Sequence, residues 1–259
     1  MTSHETVLDC RSVTKRYGGL TAVDSVSFSV RPGEILGVIG PNGAGKTSLF
    51  DVISGVSPAT EGEIVFRDRH ITRLAASDIA CLGLQRTFQT PVSFPDLSVR
   101  ENVCVGAAFA GRHGRDSLAD GFPTGIEEIL AFCRLPHLAD SRAGPLPVLQ
   151  RKRLMLATAL ATRPLLLLLD EPMGGLNHEE RMEMLDLLRA VNAMGLGMLI
   201  IEHVLTALLQ LAQRVIVLDQ GRVIFEGGPQ EAVRNPDAVR VYLGWETAVP
   251  DQPAPDARS

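Results

Sequence analysis

Gly40-Pro41-Asn42-Gly43-Ala44-Gly45-Lys46-Thr47 reads G-x-x-x-x-G-K-T, the spacing of a phosphate-binding loop. Glu34-Ile35-Leu36-Gly37-Val38-Ile39 precedes it as a short apolar strand pattern, and Ser48 to Ser54 follows as the opening of a helix. The chemistry needs that order. Glycines let the backbone curl until successive N–H groups point at phosphate oxygens, and the helix N-terminus adds positive potential. In this pattern Lys46 reaches the terminal phosphates and the Thr47 hydroxyl ligates Mg²⁺.

A second segment supplies the acids. Leu165-Leu166-Leu167-Leu168-Leu169-Asp170-Glu171-Pro172 is an intensely apolar strand ending in two carboxylates. A strand buried on both faces of a parallel sheet delivers its last residues to the carboxyl edge, where ligands bind. Asp170 is then a candidate Mg²⁺ partner opposite Thr47, and Glu171 a candidate general base for an attacking water. Met198-Leu199-Ile200-Ile201-Glu202-His203 is a further buried strand. As a neighbour of the acidic strand it brings His203 to the same edge. Read singly, Gln89 in Arg86-Thr87-Phe88-Gln89 is a polar loop residue, and Tyr17 an exposed aromatic.

Periodicity organises the rest. Residues 7 to 30 alternate apolar and polar, which predicts two antiparallel strands around Gly18-Gly19. Gly62 to Phe66 predicts another strand, and residues 74 to 82 a helix. Residues 98 to 144 read as helical and loop-rich, and Leu146 to Ala161 as a helix stopped by Arg163-Pro164. Glu179 to Met194 predicts a helix with Met182, Leu185, Leu188 and Val191 on one face. Val215–Leu218 and Val223–Phe225 flank a hairpin turn, and the Pro-rich stretch from Ala248 reads as a disordered tail. Strands alternating with helices imply a parallel α/β core.

Composition narrows the function. The 259 residues are ample for one large domain with a subdomain. A net charge of −5 leaves no basic surplus for a nucleic-acid backbone. Cys10, Cys81, Cys104 and Cys133 form no C-x-x-C pair, which suits free thiols in a reducing compartment. No stretch approaches the ~20 apolar residues that span a bilayer, and the start Met1-Thr2-Ser3-His4-Glu5 lacks an export signal. Any membrane role is expected to pass through a partner.

Taken together and in this order, the segments resemble the ATP-binding subunit of an ABC transporter, over nearly the whole chain to about Trp245. The resemblance implies a P-loop NTPase (RecA-like) α/β core with an antiparallel β subdomain and a helical ABC subdomain. The domain would run from 1 to 245, with the helical part at about 91–155 and a tail at 246–259. It makes Gly40, Pro41, Asn42, Gly43, Ala44, Gly45, Lys46, Thr47 and Ser48 the ATP-binding loop, with Tyr17 stacked on adenine and Val23 beside it. Gln89 becomes the Mg²⁺-sensing residue that links to the membrane subunit. Asp170 is the metal carboxylate, Glu171 the catalytic one, and His203 the contact to the γ-phosphate. Tyr17 to Val23, Arg86 to Gln89, Gly175-Leu176-Asn177 and Ile201-Glu202-His203 resemble the branched-chain amino acid importer type in particular. The implied partners are two transmembrane permease subunits, a second ATPase subunit and an extracytoplasmic solute-binding protein, at the cytoplasmic face of the inner membrane.

One segment departs from the family. Its signature loop, Leu-Ser-x-Gly-Gln, is matched here by Leu146-Pro147-Val148-Leu149-Gln150. In the family, two ATPase subunits meet head to tail, and each ATP lies between one subunit's phosphate loop and the other's signature. Pro147 has neither hydroxyl nor N–H, although proline is comfortable in a first helical turn. Leu149 is expected to bring a side chain where close backbone approach is needed. The chain would thus weaken the site it completes for its partner and keep its own, which points to a heterodimer. The alternative is a regulatory ATP-binding partner with little hydrolysis of its own.

Overall fold

β1 (Leu8–Tyr17) and β2 (Leu20–Val30) pair antiparallel around Gly18, whose φ of +58° suits glycine. The computed structural model describes residues 6–89, 93–109, 122–203 and 205–246; the Pro-rich tail and the glycines at 111, 114 and 121 lie outside them. With β4 (Glu61–Phe66) and β5 (Arg69–His70), the first two strands form an antiparallel sheet in the order β2-β1-β4-β5.

The larger sheet is built on β3 (Ile35–Ile39), which runs into α1 (Lys46–Ile53) through the phosphate loop. After α2 (Ala76–Cys81) comes the short strand β6 (Leu84–Arg86). Three helices follow: α3 (Val99–Ala108), α4 (Ile126–Phe132) and α5 (Val148–Ala161). Then β7 (Leu166–Asp170), α6 (His178–Ala193), β8 (Gly197–Ile201), α7 (Leu205–Leu211), β9 (Arg214–Asp219) and β10 (Arg222–Gly227) complete the alternation. Two helices close the described chain, α8 (Pro229–Ala232) and α9 (Pro236–Glu246). The order is β10-β9-β3-β8-β7-β6. All pairs are parallel except the β9–β10 hairpin.

Period-2 alternation gives this sheet two apolar faces. Ile35, Leu167, Leu169, Met198, Ile200, Val215 and Val217 pack under α3 to α6. Leu36, Val38, Leu166, Leu168, Leu199, Ile201, Ile216 and Leu218 pack against α1 and the antiparallel sheet. Strands buried on both faces read as continuous apolar runs, as these do. The helical part is held to the sheet by α5, along which α3 lies close. A Cβ at Gly106 would sit 2.3 Å from the Thr158 carbonyl oxygen.

Three expectations change. On α6 the buried residues are Met184, Leu185, Leu187, Leu188 and Val191, while Met182 is exposed; the apolar stripe is wider than one i, i+3 row and leaves Met182 at its rim. The helix expected from Leu146 begins at Val148, with Pro147 as its N-cap rather than in its first turn. And β6, too short for a period-2 signal, was not legible as a strand.

Candidate functional site

The phosphate loop is wedged between two strands. Gly40 has φ +154°, and a Cβ there would lie 2.2 Å from the Leu218 carbonyl oxygen. Gly45 has φ +99°, and a Cβ there would meet the Ala22 carbonyl oxygen at 2.1 Å. Both positions exclude any side chain. The Gly221 N–H donates to the Ala44 carbonyl (2.9 Å), the Asp24 N–H to the Gly221 carbonyl (2.8 Å), and Arg222 pairs with Asp24 at 2.6 Å. The loop, β2 and the β9–β10 turn are thereby one unit. Gly45 is the N-cap of α1 and brings no side-chain acceptor to the first-turn N–H groups; that arrangement suits phosphate oxygens. Lys46 Nζ donates to the Gly40 and Pro41 carbonyls at 2.7 and 2.9 Å. Burial lowers the pKa of its ammonium, against the opposing pull of Glu171 and Asp170.

Parity decides where the acids go. Asp170 shares the face of Leu166 and Leu168, toward α1, and is 4% exposed. There Arg86 meets it: Nη2 lies 3.3 Å from Asp170 Oδ2, while Nη1 donates to Asp51 Oδ1 of α1 at 2.6 Å. Burial pushes the Asp170 carboxyl above the usual carboxylate range, against the lowering effect of Arg86.

Glu171 leaves the strand in a left-handed conformation, φ +50°, which costs a non-glycine residue about 1–2 kcal/mol. Its Oε1 lies 2.6 Å from His203 Nε2, and its Oε2 accepts from Gln89 Nε2 at 2.8 Å. Residues from β7, from the end of β8 and from the loop after β6 thus converge on one carboxylate. They face the phosphate loop across a cavity of about 780 Å³, whose far wall is Tyr17, Leu20, Thr21 and Ala22. Tyr17 is 45% exposed, with the Lys15 ammonium 4.7 Å from its ring centre. Gln220, from the hairpin turn, also lines the cavity and had no sequence signal.

Two expected contacts differ. Val23 is fully buried in the core between the sheets and does not line the cavity; its neighbours Thr21 and Ala22 do. Alternation along β2 turns Val23 inward. Leu149 is 4% exposed and packs in the core under α5, so its side chain does not stand over the loop surface. Pro147 is exposed at the start of α5, which has no capping side chain and no acid in its first turn.

The donor set suits Mg²⁺, a hard cation bound through one or two carboxylates plus substrate phosphates. Thr47 and Gln89 line the cavity, Asp170 ends β7 next to the cavity-lining Glu171, and no cluster of His, Cys, Asp and Glu able to hold a metal by itself exists among the described residues.

The ABC transporter family profile matches residues 23–174. The chain is 35% identical to the high-affinity branched-chain amino acid transport ATP-binding protein LivG of Salmonella typhimurium, covering 92% of this chain and 98% of that one. It is 33% identical to a probable branched-chain amino acid transport ATP-binding protein LivG of Methanocaldococcus jannaschii, covering 92% and 97%. The crystal structure of the ADP conformation of an ATP-binding cassette of an ABC transporter superposes with a TM-score of 0.81 at 32% identity, covering 92% of this chain and 99% of that one.

Proposed function

The chain belongs to the ABC transporter family, and on that premise we propose that it is the ATPase of an importer for branched-chain amino acids or related small amides. The solute class rests on the names carried by its relatives. The observation that carries the hydrolytic reading is the convergence of Gln89, Glu171 and His203 opposite Lys46.

The chemistry is ATP plus water giving ADP and phosphate. Glu171 accepts the proton of a water attacking the γ-phosphorus, a role worth about 10²–10⁴-fold in rate. Gln89 and His203 hold its two oxygens in place. Lys46 and the His203 ring stabilise the charge of the transferring phosphoryl group. Tyr17 offers a ring face to adenine. Thr47, Asp170 and Gln89 would hold Mg²⁺, which would supply charge neutralisation to the phosphates.

No helix among the described residues is long and apolar enough to cross a membrane. As in an ABC importer, translocation would belong to two transmembrane permease subunits, docked on this chain near Gln89 and the region 91–150 at the inner face of the membrane. A solute-binding protein would deliver the solute on the opposite side. The loop at Leu146–Gln150 favours a heterodimer: with Pro147 in place of the hydroxyl, this chain offers a weakened surface to its partner's ATP, while its own phosphate loop takes an intact signature from the partner.

The experiment is Glu171→Gln in the assembled transporter. ATP binding is expected within about twofold of wild type with turnover lowered ~10²–10⁴-fold. Unchanged turnover would remove Glu171 from the mechanism and favour the reading in which this subunit binds ATP without hydrolysing it.

A further inference from the structure

Beneath the pair formed by Glu171 and His203 lies a second pair of charges with no part in the phosphate chemistry. Lys152, one turn into α5, is 4% exposed, and its Nζ donates to the backbone oxygen of Glu171 at 2.7 Å. Glu202 is 2% exposed. Its Oε1 accepts from the Met173 N–H at 2.6 Å and its Oε2 from the His203 N–H at 3.1 Å. The carboxylates of Glu202, Glu171 and Asp170 all act on the Lys152 ammonium, against the effect of burial.

These contacts bear on a backbone that needs support. The left-handed φ of Glu171 persists only where its surroundings over-determine it. Its N–H donates to the Ile201 carbonyl at 2.9 Å, and its own carbonyl accepts from Gly174 at 3.1 Å as well as from Lys152. Of these groups, Lys152 alone comes from the helical part of the molecule. It sits ~7.5 Å along the helix axis from Pro147, at 1.5 Å rise per residue, so a displacement of the α5 start carries the ammonium with it.

We propose that Lys152, with Glu202 beside it, is a positioning residue that couples the start of α5 to the backbone of Glu171, and so links the surface facing a partner's nucleotide to this chain's own site. Its consequence for turnover rests on the reading of Glu171 as the base; its effect on the backbone does not.

The test is hydrogen–deuterium exchange of the full-length chain over residues 170–176, in wild type, Lys152→Met and Lys152→Arg. Loss of one charge-assisted bond to a strained backbone is expected to speed exchange of this segment about tenfold in Lys152→Met. Lys152→Arg, which keeps the charge, is expected to stay near wild type, and exchange in β3 and β9 to be unchanged in both. In the assembled transporter, Lys152→Met is expected to lower kcat about tenfold with KM within twofold, as misplacing a reacting group does. Equal exchange in wild type and Lys152→Met overturns the proposal. So does a uniform rise across the core with a lower melting midpoint, which would make Lys152 a plain core residue. Altered exchange with unaltered kcat would instead leave the coupling standing and count against Glu171 as the base.

Discussion

The loop before α1 and the loop before α5 both start a helix, and they are built on opposite terms. In the first, glycines stand where any side chain would collide with backbone oxygen, and the N-cap brings no competing acceptor. In the second, the glycine expected by family resemblance is Leu149, which has become a core residue, and the N-cap is Pro147. Pro147 keeps the dihedral angles of a capping residue, φ −58° and ψ 162°, against −66° and 163° at Ser98, which does cap α3. Pro147 therefore holds a capping backbone conformation with neither a hydroxyl nor an N–H to donate. Gln150, three residues on, has a buried Oε1 with no hydrogen-bond partner; a glutamine at that position ordinarily accepts the N-cap N–H, which proline lacks.

Substitutions in the two loops should separate these terms. The largest effect is expected from Gly45→Ala, whose Cβ would lie 2.1 Å from the Ala22 carbonyl oxygen. Displacing phosphate-facing donors should weaken ATP binding and turnover by on the order of 10²-fold or more, read by titration with a fluorescent ATP analogue. Gly43→Ala is the control, since its Cβ meets nothing within 4 Å; only the cost of its positive φ, about 1–2 kcal/mol, should appear. A similar loss in both variants would mean that conformation, not close approach, governs the first loop.

Next in size is Leu149→Ala. As a buried leucine it should cost about 2–5 kcal/mol of stability, seen in thermal or urea unfolding, whereas Val148→Ala, on the exposed side of the same turn, should stay within about 0.5 kcal/mol. Pro147→Ser should move the other way. Restoring the hydroxyl and the N–H at a backbone already in the capping conformation should add about 1 kcal/mol of stability.

The smallest effect is a labelling pattern. Cys81 and Cys104 are exposed and should react with a thiol reagent, while Cys10 and Cys133 are buried and should not; burial pushes the Cys133 thiol up to about 12. Cys133 shares the core of Leu149, and Cys10 lies in the other. In Leu149→Ala, Cys133 should therefore become reactive before Cys10 does.

What the sequence disclosed follows physical lines. The G-x-x-x-x-G-K-T run and the strand ending in Asp170-Glu171 are local patterns whose geometry is dictated by their own residues, so they read directly. His203 depended on expecting its strand beside the acidic one, and Gln89 on family resemblance, because their meeting at Glu171 is a product of the β8-β7-β6 strand order. Val23 was placed beside adenine by family resemblance alone, whereas its face along β2 is set by alternation against the partner sheet. Lys152 and Glu202 carried no signal: a buried lysine in a helix rich in Arg and Lys looks like a solvated charge until the fold turns it inward.

The central claim is that this chain keeps its own phosphate site and offers a weakened surface to its partner. Mg²⁺-ATP turnover of the purified chain alone, with Glu171→Gln as control, tests it most directly. The account predicts measurable ATP binding with negligible turnover, because a homodimer would supply only the Pro147–Leu149 loop to each nucleotide. Clear turnover that vanishes in Glu171→Gln would contradict it, since that loop would then serve a working homodimer.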